Sequence, residues 1–242
     1  MKAIFTFVGE LNDFLPHFRR NTTFRLEFAP HQSLKHLVEA LGVPHTEFGP
    51  VMVNGHPVQA DRRLREGDDV SIHPADDPLP GEPFFVLDNH LGQLATYLRM
   101  LGFDSLYRND YQDDELAQVS IQEGRVLLTR DRRLLMRKAI TLGYCPHHTD
   151  PRQQAAEVLH RFDLIARVKP FQRCLRCNTP LVVVSKQEII ERLEPLTRVY
   201  FDEFRLCPVC EQVYWKGSHY THMLELIAGM ERPAAPHAET QG

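Results

Sequence analysis

The residues whose types and spacing could do chemistry fall into two groups. The first is a set of carboxylates at the ends of short apolar runs. Phe84-Phe85-Val86-Leu87 stops at Asp88, and Val126-Leu127-Leu128-Thr129 leads into Arg130-Asp131. Between them lie Asp110, Asp113, Asp114 and Glu115, and Asp150 stands just beyond. Apolar runs ending in an acid read as buried parallel strands that deliver carboxylates to one edge of a sheet. Ligands of open α/β sheets bind at that edge. Acids gathered there, with arginines nearby, would hold a divalent cation such as Mg²⁺ or Mn²⁺ through oxygen ligands and act on phosphate. Asp88, Asp114 and Asp131 are the main candidates, with Asp113 and Asp150 behind them. A bland alternative stands beside each: Asp88, Asp113, Asp131 and Asp150 all sit where a helix N-cap is wanted.

The second group is Cys174-Leu175-Arg176-Cys177 and Cys207-Pro208-Val209-Cys210. Each Cys-x-x-Cys pair is a tight turn presenting two thiolates, and two such turns complete a closed tetrahedral shell for zinc. A closed shell has no open coordination position, so this zinc is expected to hold the fold and not to catalyse. Cys145, the fifth cysteine, reads as a buried core residue. Arg125, Arg130, Arg132, Arg133, Arg137 and Lys138 form the densest basic stretch. Arg130, Arg132 and Arg133 flank Asp131 and are candidates for a phosphate backbone, against the alternative of a solvated helix face. Tyr214-Trp215-Lys216 could stack on bases, though packing within a small ribbon explains it as well. His219-x-x-His222 is too common a spacing to assign a metal.

Composition bounds these readings. The 242 residues are 43% hydrophobic and 25% charged, an ordinary globular balance with room for two or three small domains. The formal net charge of -4 means that any nucleic-acid surface must be local. Met1–Glu10 has no basic segment followed by an apolar core, and no run approaches the roughly 18 apolar residues of a membrane span. A cytoplasmic protein without a membrane partner is expected, in which cysteine pairs favour metal over disulfide. The expected domains are 1–80, 81–167, 168–229 and a disordered Pro/Ala-rich tail at 230–242.

The elements that must position these residues follow in order. Ala3–Val8 and Thr22–Phe28 read as paired strands, with Asn12–Pro16 a loop between them. Ser33 caps a helix over Leu34, Leu37, Val38 and Leu41 that stops at Gly42. Val51-Met52-Val53 leads into the hairpin signal Asn54-Gly55. Arg65–Asp68 is a turn before a last strand at Asp69–His73. This order, two strands, a helix and two strands, resembles the β-grasp (ubiquitin-like) fold, nearest its sulfur-carrier branch. Sulfur carriers end in an activated Gly-Gly, whereas this segment runs into the linker Ala75–Gly81, so a docking or RNA-positioning role is expected instead. Strand–helix alternation then begins. Strands are expected at Phe84–Leu87, Phe103–Tyr107, Arg125–Thr129 and Tyr144–Thr149. The expected helices run over Leu91–Leu101, from Asp113 to Gly124, over Arg132–Leu142, and from Pro151 to Phe162. Four such units predict a parallel sheet with helices on both faces. In the ribbon Ser185–Leu193 reads as helix and Arg198–Phe204 as strand.

Phe85-Val86-Leu87-Asp88, Leu91-Gly92 and Leu98-Arg99-Met100-Leu101-Gly102-Phe103-Asp104 together resemble the Mut-seven C-terminal RNase family. So do Glu123–Asp131, Arg173–Asn178, Cys207–Cys210 and Val213–His219. The resemblance covers about Phe84–Met223. It implies a PIN-like parallel α/β domain with a zinc ribbon appended and a β-grasp domain in front that helps to bind RNA. It further implies Mg²⁺- or Mn²⁺-dependent cleavage of RNA phosphodiesters, with Asp88 and Asp131 on the family's strand-end acids and Asp114 on the acid of its second helix. The competing expectation is a non-catalytic RNA- or protein-binding module. Glu211 stands where such a knuckle usually has Gly, so strain is expected there.

Overall fold

The computed structural model describes residues 1–76, 79 and 81–230. They form two compact units, Met1–Pro78 with Tyr111–His147 and Leu79–Asp110 with His148–Gly242. Compactness thus divides the chain differently from composition. The expected linker residues Asp77, Pro78 and Pro80, and the expected tail beyond Met230, lie outside the described residues.

β1 (Lys2–Phe7) alternates, burying Ala3, Phe5 and Phe7, and pairs antiparallel with β2 (Phe24–Glu27). In α1 (Leu34–Ala40) the Ser33 hydroxyl accepts the His36 N–H at 3.3 Å, and Leu34, Leu37 and Val38 face inward. β3 (Phe48–Val53) turns into β4 (His56–Val58) through Asn54 and Gly55, at φ 52° and 76°. Positive φ at both central residues is what a two-residue hairpin of this twist requires. β5 (Asp69–Pro74) runs parallel to β1 and antiparallel to β3, giving the order β2-β1-β5-β3-β4 of a β-grasp domain. The expected pattern lacked β4, which carries Pro57 at the sheet edge and no apolar alternation. The loop expected at Asn12–Pro16 is in part a 3-10 helix, Gly9–Phe14. The Asn12 amide holds it by donating to the carbonyls of Phe7 and Gly9, both at 2.9 Å.

In the second unit β6 (Phe84–Leu87) pairs in parallel with β7 (Asp104–Tyr107) across α2 (Gly92–Met100), which buries Leu94, Ala95 and Leu98. Gly102 ends this helix region at φ 98°, and a β-carbon there would lie 2.2 Å from the Lys169 carbonyl oxygen. The first unit contributes α3 (Asp113–Glu123), β8 (Val126–Leu128), α4 (Arg132–Leu135) and β9 (Gly143–Tyr144), with β8 and β9 parallel. α3 is capped by Gln112, not Asp113: Gln112 and Glu115 exchange side chain–backbone hydrogen bonds. α4 stops at Leu135, not Leu142. Beyond it the chain makes three-residue turns, Arg137 N–H to Leu134 O and Ile140 N–H to Arg137 O, that sink Ile140 into the core. β9 is far shorter than Tyr144–Thr149, because the Cys145 N–H goes to Glu47 Oε1 at 2.7 Å and Pro146 has none to offer. Cys145 is buried, as expected.

The second unit resumes with α5 (Pro151–Arg161), capped by Asp150, which packs on α2. The ribbon follows: β10 (Val182–Val184), α6 (Lys186–Ile189), α7 (Pro195–Tyr200), β11 (Phe204–Leu206) and β12 (Val213–Trp215), then α8 (Ser218–Met230). Its strands are antiparallel in the order β10-β11-β12 over Ile189, Leu193, Phe204 and Val213. Arg198–Tyr200 is helix where a strand was expected. Pro195 at the first helical position and the Arg198 N–H to Glu194 O bond start a turn that delays the strand to Phe204. α8, which packs on α5, was not expected at all.

Gly102→Ala is expected to destabilise the chain by about 1–3 kcal/mol or more, from a left-handed backbone and a main-chain clash together. Denaturant unfolding checks it; a midpoint equal to the wild type's would contradict the fit.

Candidate functional site

The two Cys-x-x-Cys turns close on each other. The four sulfurs lie within 4.8 Å of one another, with Cys174 Sγ 3.4 Å from Cys210 Sγ and Cys177 Sγ 3.3 Å from Cys207 Sγ. Each turn is locked by its own backbone: Asn178 N–H donates to Cys174 O at 3.0 Å and Glu211 N–H to Cys207 O at 2.9 Å. The residues closing the turns sit at positive φ, 68° for Asn178 and 57° for Glu211. Asn tolerates that region; Glu does so at a cost of roughly 1–2 kcal/mol. The strain expected at Glu211 is therefore present.

The thiols do not ionise alike. Burial raises the Cys177 thiol, but hydrogen bonds from the Thr179 side chain and backbone and from Cys207 bring it down to about 6. Cys174 is also buried, and a hydrogen bond from Tyr214 leads those that lower it. At Cys210 a backbone hydrogen bond at Gln212 favours the thiolate, yet burial and the three neighbouring sulfurs outweigh it and raise the thiol to about 12. The last proton is thus held by repulsion among like charges, which a bound dication relieves. Four converging sulfurs with this behaviour fit the tetrahedral four-sulfur set of a zinc ribbon.

Residues that sequence reasoning passed over knit this centre to β7. Arg99 is 5% exposed and spends its guanidinium on backbone carbonyls of Ser105, Leu175 and Arg176. Burial lowers its pKa, opposed chiefly by the Cys174 and Cys177 charges. Asn178 Nδ2 donates to Asp104 Oδ1 at 2.8 Å, and Arg173 pairs with Asp104 at 3.2 Å. The available signal was an arginine four residues after Ala95, on the face that α2 buries.

The carboxylates divide between the units. In the second, Asp88 ends β6 and accepts the His90 N–H at 3.3 Å, a long cap of a 3-10 turn. Tyr107 holds that turn by donating its hydroxyl to Asn89 O at 3.0 Å, and Gly92 leaves room for the ring, since a β-carbon there would lie 2.7 Å from it. Asp150 accepts two N–H groups at 3.0 Å and is a strong cap. In the first unit Asp131 Oδ1 accepts from Arg133 N at 2.7 Å and Leu134 N at 3.4 Å, and its other oxygen has no partner among the described residues. Asp113 and Asp114 come together around Arg137, at 3.9 and 2.5 Å. Of the basic stretch, Arg125 is buried and paired with Glu123, and Arg132 donates to Phe14 O at 2.9 Å with its charge over the Phe14 ring. Arg130, Arg133 and Lys138 are exposed and have no side-chain partner among the described residues. Tyr214 is an internal strut of the ribbon, bonded to Cys174 Sγ and accepting the Leu175 N–H at 3.0 Å. The side chains of His219 and His222 lie outside the described residues.

Comparison with known families matches residues 83–227 to the Mut7-C RNAse domain and residues 1–79 to the Mut7-C ubiquitin domain. No curated protein matches the chain. Among solved structures, SAMP1 from Haloferax volcanii is similar at 17% identity over 34% of this chain and 99% of its own. The TM-score is 0.26, too low to carry an argument.

Replacing the strained knuckle residue gives a sharp expectation: Glu211→Gly raises stability by about 1 kcal/mol with the metal centre intact. Thermal unfolding of the metal-loaded chain reads it, and a lowered midpoint would show that Glu211 is not strained.

Proposed function

This chain belongs to the Mut7-C RNAse domain family, and from that premise we propose that it is a metal-dependent ribonuclease hydrolysing RNA phosphodiester bonds. The observation that carries the reading is the family match across 83–227, which spans every candidate carboxylate and all four cysteines. In this reading residues 81–167 are a PIN-like nuclease domain, 168–229 a ribbon held by structural zinc, and 1–80 a β-grasp domain that helps to position RNA. No helix among the described residues is long and apolar enough to cross a membrane, and we place the protein in the cytoplasm.

Asp88, Asp114 and Asp131 would hold Mg²⁺ or Mn²⁺, for which an all-oxygen donor set is suited. Their settings are compatible with that task. Asp131 uses one oxygen as a cap and keeps the other; the Asp114 side chain is 93% exposed. Its pair with Arg137 is a surface ion pair of small worth, which a dication can displace. Asp113 and Asp150 take supporting parts, as the companion of Arg137 and as a helix cap. The bound cation would supply charge neutralisation at the phosphate and a more acidic water. The chain's own contribution is to fix the acids by their caps and to offer cations to the RNA backbone. Arg130 and Arg133 serve that role better than Arg132, whose guanidinium is engaged by Phe14.

A second reading has one observation in its favour: Asp88, Asp131 and Asp150 all accept N–H groups at helix starts, as plain caps do. The chain would then be a non-catalytic RNA- or protein-binding module. End-labelled RNA incubated with the protein in Mn²⁺, Mg²⁺ or EDTA, beside Asp88→Asn/Asp131→Asn, separates the two. The nuclease reading expects metal-dependent cutting that falls by at least on the order of 10²-fold in the double variant. Cutting that survives in EDTA or in the variant would sink the assigned site. Absence of cutting with RNA still bound would favour the module.

A further inference from the structure

Arg99 grips the first cysteine knuckle by its backbone. Its Nη1 donates to Leu175 O at 3.1 Å and to Arg176 O at 2.9 Å. Those carbonyls belong to the two peptide units that run from Leu175 to Cys177, the backbone that spaces one thiol of the turn from the other. One guanidinium therefore holds both peptides by their oxygens, and hydrogen bonds from a charged donor are the stronger ones.

The rest of the same guanidinium is bound to β7. Nε and Nη2 donate to Ser105 O at 3.0 and 2.8 Å, while the Ser105 N–H is donated to Asn178 Oδ1, the residue after Cys177, at 3.0 Å. β7 is the end strand of its sheet. The backbone groups of Ser105 that an end strand leaves unpaired are thus closed by Arg99 and by the knuckle. A planar fork is needed to reach three carbonyls in three directions; a lysine ammonium keeps the charge but not the geometry.

We propose that Arg99 is a positioning residue of the four-cysteine centre, through which metal occupancy and the order of the β7 edge are coupled. This rests on the zinc assignment above and is independent of whether the carboxylates cut RNA. Residues that orient the ligands of a metal typically contribute 10–100-fold to its affinity.

The test has two arms on the full chain. In the first, zinc affinity is measured by chelator competition for the wild type and Arg99→Lys, and a 10–100-fold loss in the variant is expected. Affinity within about twofold of wild type would overturn the proposal. In the second, amide exchange is followed in the wild type with and without zinc. Stripping zinc should expose 104–107 and 174–178 while 2–7, in the other unit, stays protected. Retained protection at 104–107, or equal loss at 2–7, would overturn the coupling. This arm decides the matter if Arg99→Lys does not fold. A wild-type chain that binds no zinc would defeat the zinc assignment itself, and is told apart by metal analysis of the unmodified protein.

Discussion

Four sulfur atoms within 4.8 Å of one another cannot all carry charge unaided, and the C-terminal part of this chain is arranged around that constraint. Cys177 ionises early and Cys210 resists, with a thiol raised to about 12. The site is thus poised for a dication and incomplete in its chemistry without one. Positive charge is supplied from the protein side too, by the buried Arg99. The surrounding bonds pass the order of the knuckle to Asp104 and Ser105, hence to the strand beside β6 and the turn that carries Asp88. Order at the four-cysteine cluster can in this way matter to a sheet edge.

The carboxylates obey a different logic. A short acid at the end of a strand is also the best cap for the turn that follows. Asp131 satisfies two amides with one oxygen, and Asp88 caps its turn through the His90 N–H. Capping fixes a carboxylate's orientation without consuming it, so cap and ligand are compatible descriptions of one residue. Asp150, with two equal bonds at 3.0 Å and a proline behind it, is the plainer cap.

Much of this was legible wherever a residue's own backbone preference decides the outcome. Asn54-Gly55, Gly102 and Gly124 sit at positive φ as their turns demand, and Ser33 and Asp150-Pro151 start their helices. The cysteine spacing announced the convergence of the four sulfurs. Legibility failed where a distant partner decides. α4 ends early because Ile140 is drawn into the core, β9 is cut short by Glu47 taking the Cys145 amide, and Arg132 is claimed by Phe14. Arg99 shows its part only through its three carbonyl partners. In each case the deciding group is more than thirty positions away or belongs to a neighbouring turn, and no local pattern encodes it.

The claim on which the rest leans is that the four thiols hold one metal in a closed all-sulfur shell. X-ray absorption at the zinc edge of the purified, full-length chain tests this most directly. The account predicts four sulfur scatterers at about 2.3 Å and no oxygen or nitrogen in the shell. A mixed shell, or a folded chain carrying no zinc, would contradict it.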